Sequence, residues 1–499
     1  MKLMKYFSTR GGDAVTASQA IVSGIAPSGG LYVPQAYPAL DVAALAGLTR
    51  YADVAAAVMG PYLSDTDAKK LGDMIGAAYR RFDTPEIVPV VSLTQTDSIA
   101  ELWHGPTMAF KDVALQMLPH LLTNALQITG VNEAVYILVA TSGDTGKAAL
   151  EGFAGVEGTR VLVFYPDGGV SEAQRRQMVT QEGRNVDVCA VRGNFDDAQT
   201  GVKQIFADPG IRETLKTLGY RLSSANSINF GRLLPQIVYY FTSYLRLVHS
   251  GRVASGAPVN FCVPTGNFGD ILAGEYARRM GLPVHKLICA SNRNKVLTDF
   301  FATGVYDDKR PFYRSMSCSI DILISSNLER LLYELADRDT AVVVEWMRRL
   351  QETGRYEIGA DAQRALSKTF AAGWCSEADT LAAIRRVYDA HGYLMDPHTA
   401  VAQTVYEQYV ERTGDATQTV LLSTANPYKF ATDVLSAFEP TGGDDFKNAD
   451  RLHEITGLPV PEGIAGLRGK PERFLSVCDL ADMPRRVVGP VRPDARERG

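Results

Sequence analysis

Hydrophobic and polar positions alternate along this chain in two rhythms. Up to about residue 95 the apolar residues recur at helical spacing, as in DVAALAGL (41–48) and DAKKLGDMIGAAYRRF (67–82), around a turn APSGGLYVP at 26–34. This predicts a mainly helical amino-terminal module. From about residue 96 short continuous apolar runs take over: AVYILVAT (134–141), RVLVFYP (160–166), VDVCAV (186–191), VNFCVPT (259–265), KLICAS (286–291) and TVLLST (419–424). Helix-period stretches follow most of them, among them KAALEGFAG, SEAQRRQMVTQEG, DDAQTGVKQIF and ILAGEYARRM. β-branched runs alternating with amphipathic helices predict an α/β fold with mostly parallel sheets covered on both faces. Residues 330–395 read as mostly helical, and the end, PVRPDARERG, as a loose tail.

Composition narrows the possibilities by exclusion. A chain of 499 residues has room for two to four domains with large cores. Lys+Arg 51 against Asp+Glu 56 gives −5 with no long charge block, so neither nucleic acid nor a membrane surface is an expected partner. No apolar run reaches 18 residues, and the polar amino end lacks a signal-peptide core, so no membrane span or export is expected. The six cysteines (189, 262, 289, 318, 375, 478) form no CxxC and sit partly in strand-like runs. They read as buried free thiols of a reducing, cytoplasmic protein. His391 and His398, flanking GYLMDP, read as helix-end or turn residues rather than a metal site.

In open parallel sheets ligands sit beyond the carboxyl ends of the strands, and three loops there carry chemistry. PTGNFGD (264–270) places Gly266 and Gly269 at a strand-to-helix junction, where backbone N–H groups and the helix dipole could close on a phosphate. A tight turn with no ligand is the alternative. The loop matches neither GxGxxG nor a P-loop, which leaves a nucleotide reading unsupported. SGDTG (142–146) offers Ser142, Asp144 and Thr145 as helix caps, or a second nest sized for a carboxylate. In LLSTANPYKF (421–430), Ser423 and Thr424 end a buried strand; they could cap the next helix or face a heterocyclic nitrogen. Finally, ELWHGPTMAFKDVALQ (101–116) holds Lys111 between Phe110 and Asp112 after a Gly105-Pro106 turn. A solvated lysine is the alternative there, and Asp112 reads as a cap of the helix it opens. Taken together, an amine, a glycine cup and a hydroxyl describe the needs of one cofactor, pyridoxal 5′-phosphate.

These segments, with YFSTRGG (6–12), GLYVP (30–34), SGDTGKAA (142–149), NSINFGRLLPQIVYYF (226–241), SMSCSIDILISSNLERLLYEL (315–335), MDPHTA (395–400) and STANPYKF (423–430), resemble the threonine synthase family, of the longer bacterial and fungal type, over roughly residues 1–435. The resemblance implies a pyridoxal-phosphate enzyme of fold type II, the tryptophan-synthase-β type. It has two αβα domains and a helical amino-terminal module: residues 1–95, a catalytic core 96–435 whose smaller part is roughly 105–250, and an extension 436–499. It implies conversion of O-phospho-L-homoserine and water to L-threonine and phosphate. Carried over residue by residue, Lys111 beside Phe110 forms the imine. Gly266, Asn267, Phe268, Gly269 and Asp270 line the cofactor phosphate, and Thr424 faces the pyridine nitrogen. Ser142, Gly143, Asp144, Thr145 and Gly146 receive the substrate carboxylate. For the substrate phosphate Asn226, Asn229 and Arg232 are the candidates, ahead of Ser326, Asn327 and Arg330. Two departures stand out: Asn426 and Tyr428 where many members have His and Ala, and Phe230-Gly231 where a Trp-Ala pair is usual. These are expected to alter packing near Thr424 or substrate fit. A phosphohomoserine lyase or a threonine or serine dehydratase on the same scaffold, and a non-catalytic scaffold protein, remain the rivals.

Overall fold

Two parallel sheets, each at the centre of its own layer sandwich, form the frame of this protein. The computed structural model describes residues 3–141 and 143–489; Ser142 and the expected tail at 490–499 lie outside the described residues. The amino-terminal module pairs β1 (Tyr6–Ser8) with β2 (Tyr32–Pro34) antiparallel and is otherwise mainly helical, except that the strand Val90–Ser92, inside the expected bounds 1–95, belongs to the larger sheet. It docks through apolar and polar contacts alike. The Tyr6 ring packs on Phe230 at 4.7 Å, and Glu329 accepts from Arg10 at 2.7 and 2.9 Å.

The larger sheet contains β3 (Val90–Ser92), β4 (Asp97–Glu101), β9 (Val259–Pro264), β10 (Val284–Ser291), β13 (Phe370–Trp374) and β14 (Thr419–Ser423), in the order β13-β10-β9-β14-β4-β3. All neighbours are parallel except β3, which pairs antiparallel with β4 at the edge. The smaller sheet holds β5 (Ala134–Ala140), β6 (Thr159–Pro166), β7 (Val186–Val191), β8 (Tyr220–Ser223) and β15 (Ser476–Cys478), all parallel, in the order β15-β7-β6-β5-β8. Between the sheets runs the helix Phe230–His249, buried along nearly its whole length. Buried apolar residues dominate it, with Arg232 and Gln236 buried near its start, and it serves as a central post.

The apolar runs expected as strands are strands. Five further strands of the two sheets were not foreseen. Of these, β13 lies inside the region 330–395 read as helical, and β15 comes from the carboxyl-terminal extension. The extension is thus part of the smaller sheet: Arg175 and Arg176 grip Glu472 at 2.5 and 3.0 Å, and Arg473 donates to the carbonyl of Gln181 at 2.6 Å. The two departures from the family pattern face these flanking modules. Phe230 packs on Tyr6 and Tyr62, and the Tyr428 hydroxyl donates to the Leu458 carbonyl at 2.5 Å. All six cysteines are free. Among the described residues no helix is long and apolar enough to cross a membrane, and no group of three or more acidic, His or Cys side chains is placed to hold a metal.

Candidate active site

The parallel register places the chemistry. In the larger sheet β4 and β14 run side by side with Glu101 opposite Ser423, so the loops leaving their carboxyl ends travel together. They are zipped at the backbone: Phe110 N–H donates to the Thr424 carbonyl at 2.8 Å, and Asn426 N–H to the Met108 carbonyl at 3.1 Å. The loop after β9 carries PTGNFGD on the same edge, and the loop after β5 brings SGDTG in from the smaller sheet. Lys111, Asp144 and the 266–270 turn therefore meet in the cleft between the sheets.

Lys111 opens the helix Lys111–Leu115 and is buried. Its Nζ lies 3.1 Å from Ser319 Oγ and 3.4 Å from Asp144 Oδ2, and 5.4 Å from the centroid of the Phe110 ring. Ser319 Oγ donates to Asp144 Oδ2 at 3.2 Å, and Gln174 Nε2 to Oδ1 at 3.2 Å. The fixed counterion of Asp144 is Lys429, whose buried Nζ sits 2.8 Å from Oδ1. Burial pushes the Lys111 amine below its ordinary value, and the Asp144 charge only partly opposes this. Burial would raise Asp144, but Lys429 and then Lys111 outweigh it and hold the carboxyl well below the usual range. Such an amine reaches its neutral, nucleophilic form more readily than a surface lysine.

Ser319, His398 and Lys429 had no role in the sequence reading. His398, at the start of the helix Pro397–Thr413, is at a helix end as expected, yet it also works at a distance. Its Nε2 accepts from the Ser319 N–H at 3.0 Å, which places its proton on Nδ1, 2.6 Å from Asp396. That bond fixes the loop presenting Ser319. The advance signal was that Ser319, His398 and Lys429 fall within SMSCSIDILISSN, MDPHTA and STANPYKF.

The turn after β9 is built as a cup. Phe268 takes the left-handed conformation, φ 63°, just before the helix Gly269–Arg279. The strain is held by its ring, which lies 6.0 Å from both Phe301 and Phe370 in the core. A Cβ on Gly266 would stand 2.8 Å from the Ser319 carbonyl, so only glycine lets the two loops approach this closely. Ser325 Oγ occupies the Gly266 carbonyl at 2.7 Å, and Asn327 the Asn267 carbonyl at 3.1 Å. Acceptors that would repel an anion are thus bonded, and the helix N-terminus can serve one. The Asp270 side chain bonds elsewhere: Oδ1 accepts the Tyr239 hydroxyl at 2.6 Å and the Tyr240 hydroxyl at 2.9 Å. Thr424 is buried, and among the described residues its hydroxyl has no hydrogen-bond partner, whereas the neighbouring Ser423 hydroxyl is bonded to Trp103 and Thr399.

Two cap readings are corrected. The helix Asp144–Phe153 starts at Gly143, φ 138°, with no cap from Asp144 or Thr145, Ser142 lying outside the described residues. The hydroxyl of Thr141 instead accepts from Gly143 and Gly146 N–H, both at 3.0 Å, leaving Asp144 to the lysines. Asp112 does not cap its own helix either. It takes the N–H of Thr107 at 2.8 Å and its hydroxyl at 2.7 Å, tying down the turn before Lys111.

Arg232 is buried with no carboxylate partner among the described residues, donating one bond to the Ala225 carbonyl at 2.5 Å. Burial lowers its pKa to about 10. Asn226 is exposed beside it. Asn229 is committed elsewhere: its Oδ1 accepts the Gly231 N–H at 2.9 Å and its Nδ2 donates to the Ile21 carbonyl at 3.0 Å. Arg330, equally buried, has spent its donors on Tyr32, Asn327 and Ile228. A guanidinium with donors to spare in a cleft can take a dianion, and Arg232 is so placed.

Two αβα layers, a buried amine of lowered pKa and a strand-to-helix cup define the class of pyridoxal-phosphate-dependent enzymes, whose profile matches residues 100–369. Flanking it, the profiles "Threonine synthase N terminus" and "Threonine synthase, C-terminal" match residues 5–79 and 399–487, so the likeness extends past residue 435. Threonine synthase from Pseudomonas aeruginosa is 40% identical over 445 residues, covering 87% of this chain and 90% of its own. Threonine synthase-like 1 of Homo sapiens is 42% identical over 436 residues, 85% of this chain, and the match spans only 58% of that longer protein. The crystal structure of pyridoxal-phosphate-bound threonine synthase from Brucella melitensis superposes with a TM-score of 0.87 at 38% identity, covering 98% of this chain and 100% of that one. The chain belongs to the threonine synthase family.

Proposed function

We propose that this protein is a threonine synthase, converting O-phospho-L-homoserine and water to L-threonine and phosphate. The observation that carries the reading is the pairing, in one cleft, of a buried amine at Lys111 with an uncompensated buried guanidinium at Arg232. A substrate with an amine at one end and a phosphate at the other matches both. The same reading divides the chain into an amino-terminal module (1–95), a catalytic core (96–435) and an extension (436–499).

The residues present fit pyridoxal phosphate. Lys111 would hold it covalently, the turn 266–269 would receive its phosphate through backbone N–H groups, and the unpartnered Thr424 hydroxyl would meet the ring nitrogen. When bound, the cofactor supplies an aldehyde for amines to condense with and a conjugated ring that accepts the electron pair left at Cα. Asp270 contributes its backbone to the cup, its carboxylate being bonded to Tyr239 and Tyr240. The loop 143–146 receives the substrate carboxylate at the start of its helix.

Once the substrate amine has taken its place, Lys111 is a free amine. It withdraws the Cα proton and, once it has passed that proton to the bound cofactor, takes one from Cβ that it can return at Cγ, with Ser319 Oγ at 3.1 Å orienting the amine. Arg232, with Asn226 at its side, holds the departing phosphate. Protonation at Cγ, addition of water at Cβ and return of the Cα proton complete threonine. Closure of the two layers excludes water until the phosphate has left. The test is to mix the purified protein and pyridoxal phosphate with O-phospho-L-homoserine and follow threonine and phosphate together. Equal release supports the reading. Phosphate with 2-oxobutyrate and ammonia but no threonine replaces it with the lyase reading, and no turnover with the scaffold reading.

A further inference from the structure

We propose that Lys429 is a positioning residue, the permanent counterion of Asp144 that leaves Lys111 free to lose its proton. The inference rests on the reading of Lys111 as the cofactor-bearing amine.

Asp144 is a buried carboxylate with two lysines on its two oxygens, and the two contacts are unequal. Lys429 Nζ stands 2.8 Å from Oδ1, while Lys111 Nζ stands 3.4 Å from Oδ2. Lys429 is fully buried, and its ammonium also donates to the Thr107 carbonyl at 2.8 Å, inside the loop that presents Lys111. Among the described residues Asp144 is its one ion-pair partner. A buried carboxylate that stays ionised needs an opposite charge to offset its lost hydration; without one its pKa rises and it takes up a proton. Were Lys111 the only cation at hand, Asp144 would pin it as an ammonium, which can neither condense with an aldehyde nor accept a proton. With Lys429 matching that charge, Lys111 can change protonation state without leaving a bare carboxylate behind.

The other charges facing the pair reinforce this assignment. Around Lys111 stand Asp144, Lys429, Arg232 and Cys318, and the two cations among them both disfavour a third. Around Asp144 stand Lys429, Lys111 and His398. Asp112 is near Lys429, but its carboxylate is taken up by the Thr107 N–H and hydroxyl. The local fold makes the arrangement. β14 delivers Thr424, and the 3₁₀ turn Pro427–Phe430, opened by the Asn426 side chain accepting from the Tyr428 N–H at 3.0 Å, carries Lys429 back under the cleft. A single segment therefore supplies both the expected ring-nitrogen partner and the charge that tunes the amine.

The experiment uses apoenzyme and needs no substrate. Wild type, Lys429→Met, Lys429→Arg and Asp144→Asn are mixed with pyridoxal phosphate between about pH 6 and 10, trapped with borohydride, and the labelled peptide is identified by mass. Only the neutral amine condenses, so the pH midpoint of the rate reports the Lys111 amine. In Lys429→Met the midpoint should rise by about one pH unit or more, and in Asp144→Asn it should fall by a similar amount, because one change removes a like charge and the other an opposite one. Lys429→Arg should match wild type. A thermal melt accompanies each protein. If Lys429→Met does not fold, the Asp144→Asn and Lys429→Arg midpoints decide. A Lys429→Met midpoint within about 0.3 unit of wild type, or an Asp144→Asn midpoint that does not fall, overturns the proposal. Wild-type label on a residue other than Lys111 would instead overturn the reading beneath it.

Discussion

The Phe110 N–H donates to the Thr424 carbonyl at 2.8 Å, so the backbone next to the reactive amine is bonded to the backbone of the residue assigned to the ring nitrogen. This bond does not involve the Thr424 side chain, and the two functions of Thr424 can be separated. Thr424→Val keeps the volume and the carbonyl and removes only the hydroxyl. Affinity for pyridoxal phosphate should fall by roughly tenfold, the worth of about one hydrogen bond, with the apoenzyme melt nearly unchanged. Fluorescence titration of apoenzyme reads it. Unaltered affinity would take the hydroxyl out of the cofactor site.

Arg232 makes the opposite kind of prediction, on substrate rather than cofactor. Among the described residues its buried guanidinium has no carboxylate to neutralise it, and burial already pulls it to about 10. Arg232→Gln should lower kcat/KM for O-phospho-L-homoserine by about 100-fold, the worth of a charge-assisted pair of hydrogen bonds to phosphate, and leave pyridoxal phosphate binding intact. The apoenzyme should lose no stability, since an unpaired buried cation is removed. A large drop in melting temperature would mean that Arg232 is structural.

What the sequence could and could not show follows from where each interaction is made. β5, β6, β7, β9, β10 and β14 were legible because strands buried on both faces need unbroken apolar runs. FAAGW, which forms β13, has neither the length nor the β-branched residues to announce itself among helices, and only its pairing with β10 makes it a strand. Lys111, the 266–270 turn and Thr424 were legible because each sits in a compact motif at a strand end. The bonds of Ser319 and Lys429 are not local. Lys111 and Ser319 are 208 residues apart, Lys429 and Thr107 are 322 apart, and no local spacing encodes such a meeting. Asp112 and Asp144 were misjudged as caps for a related reason: a short polar side chain near a helix start bonds whichever partner the loop presents, and that depends on the loop's path.

The carboxyl-terminal extension was unassigned in sequence, and the structure gives it a definite task. It covers the edge of β7 with β15 and clamps the helix Glu172–Val179 through Glu472. That helix also sends Gln174 to Asp144 at 3.2 Å. A chain ended at Gly469 should melt at least about 5 °C lower and self-associate through the uncovered edge. Differential scanning calorimetry with light scattering checks both, and an unchanged melt in a monodisperse protein would show the strap to be dispensable.

Asp270 yields a prediction about pH. Its Oδ1 accepts two tyrosine hydroxyls, while Oδ2 is buried without a partner among the described residues. Burial pushes the carboxyl up to about 6, although the tyrosine bonds oppose it. A folded pKa above the unfolded value means that the folded state holds the proton more tightly. The group's stabilising contribution is complete below about pH 4 and is lost as pH rises through 6. Above that, the ionised carboxylate costs the fold roughly 3 kcal/mol, two pH units at 1.36 kcal/mol each. Asparagine keeps the acceptor for both tyrosines and cannot ionise. Asp270→Asn apoenzyme should therefore be more stable than wild type at pH 7–8, by up to about 3 kcal/mol, with the gap closing as pH falls to about 4. Because the carboxylate turns to the tyrosines, the variant should bind pyridoxal phosphate at least as tightly as wild type, with one negative charge fewer near the phosphate. Urea unfolding across that pH range, with a cofactor titration at pH 7.5, gives both answers. A variant less stable than wild type at neutral pH would mean that the ionised carboxylate has a stabilising partner that its bonds to Tyr239 and Tyr240 do not account for.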